Sequence, residues 1–431
     1  LGYDRWRTFQ IVFIVMAVPD MVAQAKTSDG PPPISPQDER ATDWEQRVPP
    51  EDREPDVDFD HYLDAADVIY FPTGGGKTEA YFGLVVFTAF HDRLRGKHFG
   101  MTAFTKFPLR FLSLEQLERI TELLAKAELI RRDHPVTSEG EEFSVGYFVG
   151  KGNTPNALYD DGNNYVELAQ NDEDYKEEML HLEECPFCGE KSVIIDGDPV
   201  QGRIVHRCTD SDCDEDVLPV YLTDREVYRF APTFVVSTID KISIVGMQRR
   251  MRTLFGQAKI RCTKHGYSGE SQCTVQSSAL STEGQCDEDD WTEVESTNPP
   301  SLLIQDELHL LREEFGAFDS HYETLLEAYY DRIAPGWQTK VVAATATIQG
   351  AENQVRALYQ RETIQFPSDG PRLRQSFYAY AHPKRTQRQM VGAIPRTVSR
   401  TYAIERVHEE WARIVQNFRR NPDDLYDAVQ R

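Results

Sequence analysis

The segment DVIYFPTGGGKTEAYFGL, residues 67–84, decides how the rest of the chain is read. An apolar run with strand character (DVIY) passes into three glycines and Lys77-Thr78, and a helical pattern follows. Strand, glycine-rich turn and helix in this order make a P-loop. The glycines let the backbone wrap a phosphate with its N–H groups, and the helix N-terminus turns its positive end to the same charge. Thr73, Gly74, Gly75 and Gly76 are expected to cradle ATP, Lys77 to reach its β- and γ-phosphates, and Thr78 to ligate Mg²⁺. The strict pattern has glycine five residues before Gly76, where this chain has Phe71.

Around that loop the pattern alternates. Strand-like DVIYF is followed by the helix EAYFGLVVFTAFHDRL, the apolar run GMTAFT, the amphipathic SLEQLERITELLAKAELI and the strand-like FSVGYFVG (143–150). Strands alternating with helices imply a parallel sheet, and the P-loop places it among RecA-like α/β domains. The alternation breaks at 151–222 and again at about 246–299, both polar and cysteine-bearing, and resumes at TFVVSTIDKISIV (233–245), SLLIQ (301–305) and KVVAATATI (340–348). The expected organisation is an N-terminal segment 1–65 with an acidic loop, a RecA-like domain in two halves (66–150 and 223–350), a zinc-ribbon insertion at 151–222, a second cysteine-bearing insertion at 246–299, and a basic helical tail, 351–431.

A chain of 431 residues can bury one large core or two moderate ones. The run FQIVFIVMAVPDMVA (9–23) is too short to span a bilayer and is broken by Pro19 and Asp20, and no good signal-cleavage site follows. It reads as a buried helix, with no membrane partner and a cytoplasmic location. The first residue is Leu rather than Met, so the chain reads as a piece or a processed product. Net charge is −24, which opposes a uniformly basic nucleic-acid surface. Much of the acid lies in 34–60 and 160–184, which read as solvated loops, whereas basic runs occur at 247–265, 371–375 and 383–388. A local basic track suffices for a transient grip on a strand, and the same runs also suit an acidic partner.

The stretch SLLIQDELHLL (301–311) ends an apolar strand in two carboxylates. Asp306 is expected to hold Mg²⁺, directly or through water, and Glu307 to orient and deprotonate the attacking water. His309 lies where hydrolysis is coupled to a second domain. KVVAATATI resembles the Ser/Thr-Ala-Thr motif of superfamily 2 helicases, making Thr345 and Thr347 coupling residues. TKFPLRFLSLEQL (105–117) and VVSTIDKI (235–242) occupy the places of strand-contacting motifs, with Arg110, Thr238, Asp240 and Lys241 as candidate nucleic-acid contacts. In WRTFQ (6–10), Gln10 fits either an adenine-reading glutamine or a buried structural one, since Lys77 is far away in sequence.

The cysteines form two groups. ECPFCGE (184–190) and RCTDSDCDE (207–215) give C-x₂-C and C-x₄-C, two knuckles that bring Cys185, Cys188, Cys208 and Cys213 around one structural Zn²⁺. Cys262, His265, Cys273 and Cys286 form a looser set for a second ion.

Together WRTFQIVFIV, the P-loop segment, FPLRFLSLEQLERI, VVSTIDKI, LLIQDELHLLREEFGAFDSHYET and AATATI resemble the helicase subunits of bacterial DISARM anti-phage systems, within superfamily 2. The resemblance implies an ATP-driven helicase or translocase acting on DNA, working with a partner defence subunit and a DNA methyltransferase that marks self. Superfamily 2 motors hydrolyse ATP between two RecA-like domains, and no second alternation or Gln-x-x-Gly-Arg-x-x-Arg segment follows AATATI. An alternative is a nucleotide-gated nucleic-acid-binding or assembly scaffold.

Overall fold

The computed structural model describes residues 5–26, 62–71, 74–107, 110–150, 154–160, 162–242, 244, 247–273, 275, 284–311, 313–346, 350–368, 370, 376–378 and 399–420. The acidic segment 34–60, the basic runs 371–375 and 383–388, Thr73 and Thr347 lie outside them. Two units divide the chain, Leu1–Tyr378 and Ala379–Arg431.

Helix α1 (Thr8–Lys26) precedes β1 (Ala66–Tyr70), α2 (Lys77–Leu94), β2 (Ala103–Phe107), α3 (Arg110–Asp133) and β3 (Val145–Phe148). The first polar stretch holds the hairpin β4 (Tyr159–Asp160) and β5 (Asn163–Asn164), helices α4 (Tyr165–Asn171) and α5 (Glu173–Met179), the hairpin β6 (Val193–Asp198) and β7 (Arg203–Cys208), and β8 (Val220–Tyr221). After α6 (Asp224–Phe230), β9 (Phe234–Thr238) and α7 (Ile239–Ile242), a three-stranded sheet forms from β10 (Ile260–Cys262), β11 (Gly266–Ser268) and β12 (Trp291–Glu293). The first unit continues with β13 (Leu302–Gln305), α8 (Glu313–Ile333), β14 (Lys340–Thr345), α9 (Ala351–Tyr359) and β15 (Thr363–Phe366). Helix α10 (Arg400–Arg420) belongs to the second unit.

Eight strands make one sheet in the order β15-β1-β14-β13-β2-β9-β3-β8, with every neighbouring pair parallel. This is the helix-covered α/β sheet of a RecA-like domain. Helices cover both faces, so its central strands are buried throughout and read as continuous apolar runs rather than alternating ones. Two sheet members carry no such signal. Strand β15 lies in the stretch read as a helical tail, and β8 closes the stretch read as an insertion. With four and two residues, they are too short to show periodicity.

Helix α1, read as a buried helix, is buried along one face. Phe9, Phe13, Ala17 and Met21 recur every four residues and face the core, where Phe9 stacks on Phe71 at 3.9 Å between ring centroids. The opposite face exposes Ile11, Met16 and Val15, the last at 61 %. Asp20, read as an interruption, is buried and ion-pairs with Lys340 at 2.6 Å, where Lys340 also meets Asp67 at 3.1 Å. Burial raises the Asp67 carboxyl to about 6 against the attraction of Lys340. Helices α1 and α2 cross closely at Gly83, where a Cβ would collide with the Ile14 side chain.

The acidic stretch 160–184 is likewise not all loop. Asn164 accepts from the Glu167 N–H, and Asp172 accepts from the Tyr175 N–H, so the polar residues cap α4 and α5. Acid in a first turn is also favoured by the helix dipole.

Asp92 at the end of α2 is a fully buried hub. It meets Arg95 at 2.6 Å, Lys97 at 3.3 Å and the Ser301 hydroxyl at 2.8 Å, tying α2 to the start of β13. Burial alone raises its carboxyl, but Lys97 and Arg95 outweigh it and hold the group at about 2, below the ordinary 3.8. A depressed folded value means stability present above the ordinary value and lost as pH falls towards 2. Asp92→Asn is expected to cost about 3–5 kcal/mol, because two cations stay buried without their partner. Denaturant titrations from pH 7 to pH 2 should show the parent losing stability below about pH 4 and the variant losing less over that range.

Candidate nucleotide site and metal clusters

Strand β1 ends at Tyr70, and α2 begins at Lys77. Gly74 and Gly76 turn the chain with φ of 75° and 92°, a left-handed conformation that glycine adopts without steric cost. A Cβ on Gly76 would also lie 2.7 Å from the Gln10 amide nitrogen. Gln10 Nε2 donates to the Gly76 carbonyl at 2.9 Å, while its Oε1 accepts from the Arg7 N–H at 2.7 Å. Arg7 Nη1 donates to the Gly75 carbonyl at 2.6 Å. The long sequence gap is thus closed by the fold, but Gln10 braces the loop instead of standing free for adenine. A two-bond grip on a base would first require breaking both amide contacts.

Lys77 is buried, and its Nζ donates to the Phe71 carbonyl at 2.9 Å. A buried ammonium facing a neutral carbonyl suits replacement of that acceptor by an anion. Thr78 follows it in the first turn. Across the sheet, Asp306 is buried just beyond β13, its Oδ1 accepting from the Glu307 N–H at 2.8 Å and its Oδ2 accepting from the Tyr81 hydroxyl at 2.9 Å. Burial raises the Asp306 carboxyl, opposed by the Glu307 N–H, the Tyr81 hydroxyl and the Lys77 charge. Tyr81 was not singled out by sequence, although it lies four residues after Lys77 and so on the same helix face. Gln305 anchors the turn from below, donating to the Lys106 and Asp306 carbonyls at 3.0 and 2.8 Å.

Glu307 has φ 48° and ψ 45°, left-handed backbone in a non-glycine residue. Such a conformation costs of order 1–3 kcal/mol and persists where surrounding structure over-determines it. It brings Glu307 Oε2 to 3.2 Å from His309 Nδ1, and the same nitrogen lies 3.4 Å from the Thr345 hydroxyl at the end of β14. Glu307, His309 and Thr345 therefore form one polar chain.

The candidate strand contacts are placed unevenly. Arg110 opens α3, and Asp240 is exposed at the start of α7. Thr238 is buried at the end of β9, and its hydroxyl has no hydrogen-bond partner among the described residues. Lys241 corrects the expectation made for it. Its ammonium is buried against both Asp224 oxygens at 2.8 and 2.7 Å and Asn156 Oδ1 at 2.8 Å, so the carboxylate that stabilises it faces inward and it joins α7 to α6.

Both cysteine groups converge. Four thiolates about 2.3 Å from one tetrahedral ion stand about 3.8 Å apart. The first group places Cys185 3.9 Å from Cys213 and Cys188 3.8 Å from Cys208, with the knuckles flanking the β6–β7 hairpin. The second group, looser in sequence, also closes. His265 Nδ1 lies 3.7, 3.4 and 2.9 Å from the sulfurs of Cys262, Cys273 and Cys286. Each four-donor set fits a closed divalent site, and zinc suits thiolate and imidazole donors.

No family model matches the chain. Among curated proteins, it is 33 % identical over 337 residues to DISARM protein DrmA of Bacillus paralicheniformis. The chain is a relative of DISARM protein DrmA. The match takes in 73 % of the chain but spans only 29 % of the relative's length. Solved structures with similarity include DUF1998 helicase MrfA (14 % identity, 70 % of this chain and 28 % of that one, TM-score 0.34). Another is Mss116p bound to ssRNA and AMP-PNP (10 % identity, 70 % and 36 %, TM-score 0.35). Among the described residues of this chain, no helix is long and apolar enough to cross a membrane.

Metal analysis of the protein purified without chelator should find zinc in both clusters. Cys208→Ser and Cys286→Ser should each remove one equivalent, and the double variant both, as read by atomic absorption. Loss of one equivalent in the parent after mild chelation should be accompanied by a lower unfolding midpoint, since binding energy at such sites is folding energy.

Proposed function

We propose that this chain carries the first motor domain of an ATP-dependent superfamily 2 DNA translocase acting in anti-phage defence. The observation that supports it most is the convergence of Lys77, Asp306, Glu307, His309 and Thr345 on one sheet edge, in a relative of DrmA. The N–H groups of the 74–76 turn and the α2 N-terminus bind the β- and γ-phosphates, and Lys77 exchanges the Phe71 carbonyl for a phosphate oxygen. Thr78 and Asp306 are the residues that would hold Mg²⁺, which when bound neutralises charge on the phosphates. Tyr81 fixes the Asp306 carboxylate in place. Glu307 orients and deprotonates the attacking water. Its contact to His309 passes the change in charge to Thr345 and so towards whatever domain adjoins β14. A second RecA-like domain, a partner defence subunit and a self-marking methyltransferase complete this reading of the whole system, working in the cytoplasm.

The test is ATP turnover by the full-length parent protein with and without single-stranded DNA. Stimulation by DNA is expected, with Lys77→Ala abolishing turnover and Glu307→Gln lowering it by about 10²-fold or more while nucleotide still binds. His309→Ala should reduce the stimulation by DNA more than the unstimulated rate. Full biological activity in Glu307→Gln, with nucleotide bound but not hydrolysed, would favour a nucleotide-gated scaffold.

A further inference from the structure

Although the chain carries a net charge of −24, five arginines line one cleft of about 610 Å³. Arg225 and Arg229 come from α6, and Arg249, Arg250 and Arg252 from the helical turn Arg249–Thr253. The facing wall is His265, β11 and the loop after it, which holds Cys273, so two donors of the second cluster line the cleft. Three of these cations, Arg225, Arg229 and Arg252, already interact within the protein. Arg229 is buried, donating to the Gln201 and Gly202 carbonyls at 3.1 and 2.9 Å, and Arg252 meets Glu270 at 2.7 Å. Arg249 and Arg250 are exposed, and neither has a carboxylate within ion-pair distance among the described residues.

Tyr228 adds a second kind of evidence. Its side chain is only 3 % exposed and lines the cleft, yet its hydroxyl has no hydrogen-bond partner among the described residues. A buried hydroxyl left unpaired is costly, and an oxygen acceptor in the cleft would relieve it. The same Tyr228, with Arg225, Gln248 and Arg250, also lines a neighbouring cleft of about 490 Å³. That neighbour is bounded by Gly150 and Asp240, just beyond the ends of β3 and β9. The two clefts therefore adjoin, one lying near the sheet edge that bears the nucleotide site and the other against the second cysteine cluster. Of the three carboxylates on these walls, Asp224 and Glu270 are neutralised by Lys241 and Arg252, and Asp240 is exposed just beyond β9.

We propose that this arginine cleft binds the phosphodiester backbone of a nucleic-acid strand, and that the Cys262, His265, Cys273, Cys286 cluster sets its outer wall. The proposal rests on the motor reading above and extends it to a surface outside the motifs that carried that reading. Guanidinium groups present planar, paired donors that match phosphate oxygens. The wall is tightly fixed on the cluster side, because Gly269 lies against the Arg252 guanidinium and a Cβ there would collide with it. Recognition by arginine and tyrosine donors alone reads backbone and not sequence.

The experiment uses the full-length, zinc-loaded protein and a fluorescent homopolymeric single-stranded oligonucleotide, titrated by anisotropy across a range of KCl concentrations. The double variant Arg249→Ala, Arg250→Ala alters exposed side chains and should fold normally. It should bind severalfold more weakly, and the slope of log K against log salt should shrink by about 1.4, roughly 0.7 for each phosphate no longer neutralised. Cys286→Ser should weaken binding in the same way without changing the net count of arginines. An unchanged slope in the double variant, beside normal binding by the parent, overturns the cleft and leaves the motor reading standing. Absence of any DNA binding by the parent overturns both. Equal, arginine-dependent binding of polyglutamate would overturn the nucleic-acid assignment in favour of an acidic protein partner.

Discussion

The hydrogen-bond register of the parallel sheet governs where everything else can be. Tyr70 is opposite Thr345, Gln305 is opposite both Ala343 and Lys106, and Phe107 is opposite Thr238. Because all these strands run the same way, their C-terminal ends finish on one edge, where open α/β sheets place their ligand-binding loops. The P-loop, the Asp306-Glu307 turn, Thr345 and the segment after β9 are separated by long stretches of chain and meet only there. A slip of one residue in any strand would turn its side chains to the other face and pull one group out of the constellation.

Buried charges hold that register from within. Lys340, the first residue of β14, bridges Asp20 in α1 and Asp67 in β1. Asp92 gathers Arg95, Lys97 and Ser301. Lys106 in β2 meets Asp319 at 2.7 Å and Glu323 at 2.5 Å, both in α8. Buried ion pairs of this kind add little net stability over well-packed apolar groups, but each penalises any arrangement that separates the partners. Their role in this fold is to specify which helix lies against which strand. The strain at Glu307 is supported from the same framework, since Gln305 hydrogen-bonds on both sides of the turn and Tyr359 donates to Gln305 Oε1 at 3.3 Å.

The two cysteine-bearing segments solve a different problem. Short strands and polar loops bury little apolar surface, and a closed four-donor set is a way for such segments to hold a shape. In the first, the cysteine knuckles close around a hairpin that packs on α4. In the second, the donor set closes a three-stranded sheet against α6 and the arginine turn, with Gly266 so near the Arg229 carbonyl that a Cβ would stand 2.5 Å from it. Charge is also sorted by this arrangement. An acidic chain thereby sets the exposed Arg249 and Arg250 together beside the second cysteine-bearing segment.

Much of the fold was legible in the sequence because parallel-sheet strands buried on both faces leave continuous apolar runs, and because the P-loop fixes what such a run leads into. The Asp306, Glu307, His309 and Thr345 positions were legible for the same reason, each being tied to the end of such a strand. The first cysteine set could be read from spacing alone, since knuckles are local. Four matters needed the tertiary structure. Strands β8 and β15 are too short to announce themselves, and α1 has one buried face that its uniformly apolar sequence conceals. The second donor set is closed by hairpin geometry and not by spacing. Gln10 was open between an adenine contact and a buried structural role, and Lys241 was read as a nucleic-acid contact; the fold supplies both with protein partners. Local periodicity is written into a sequence because it repeats; a contact between residues hundreds of positions apart is decided only when the sheet brings them together.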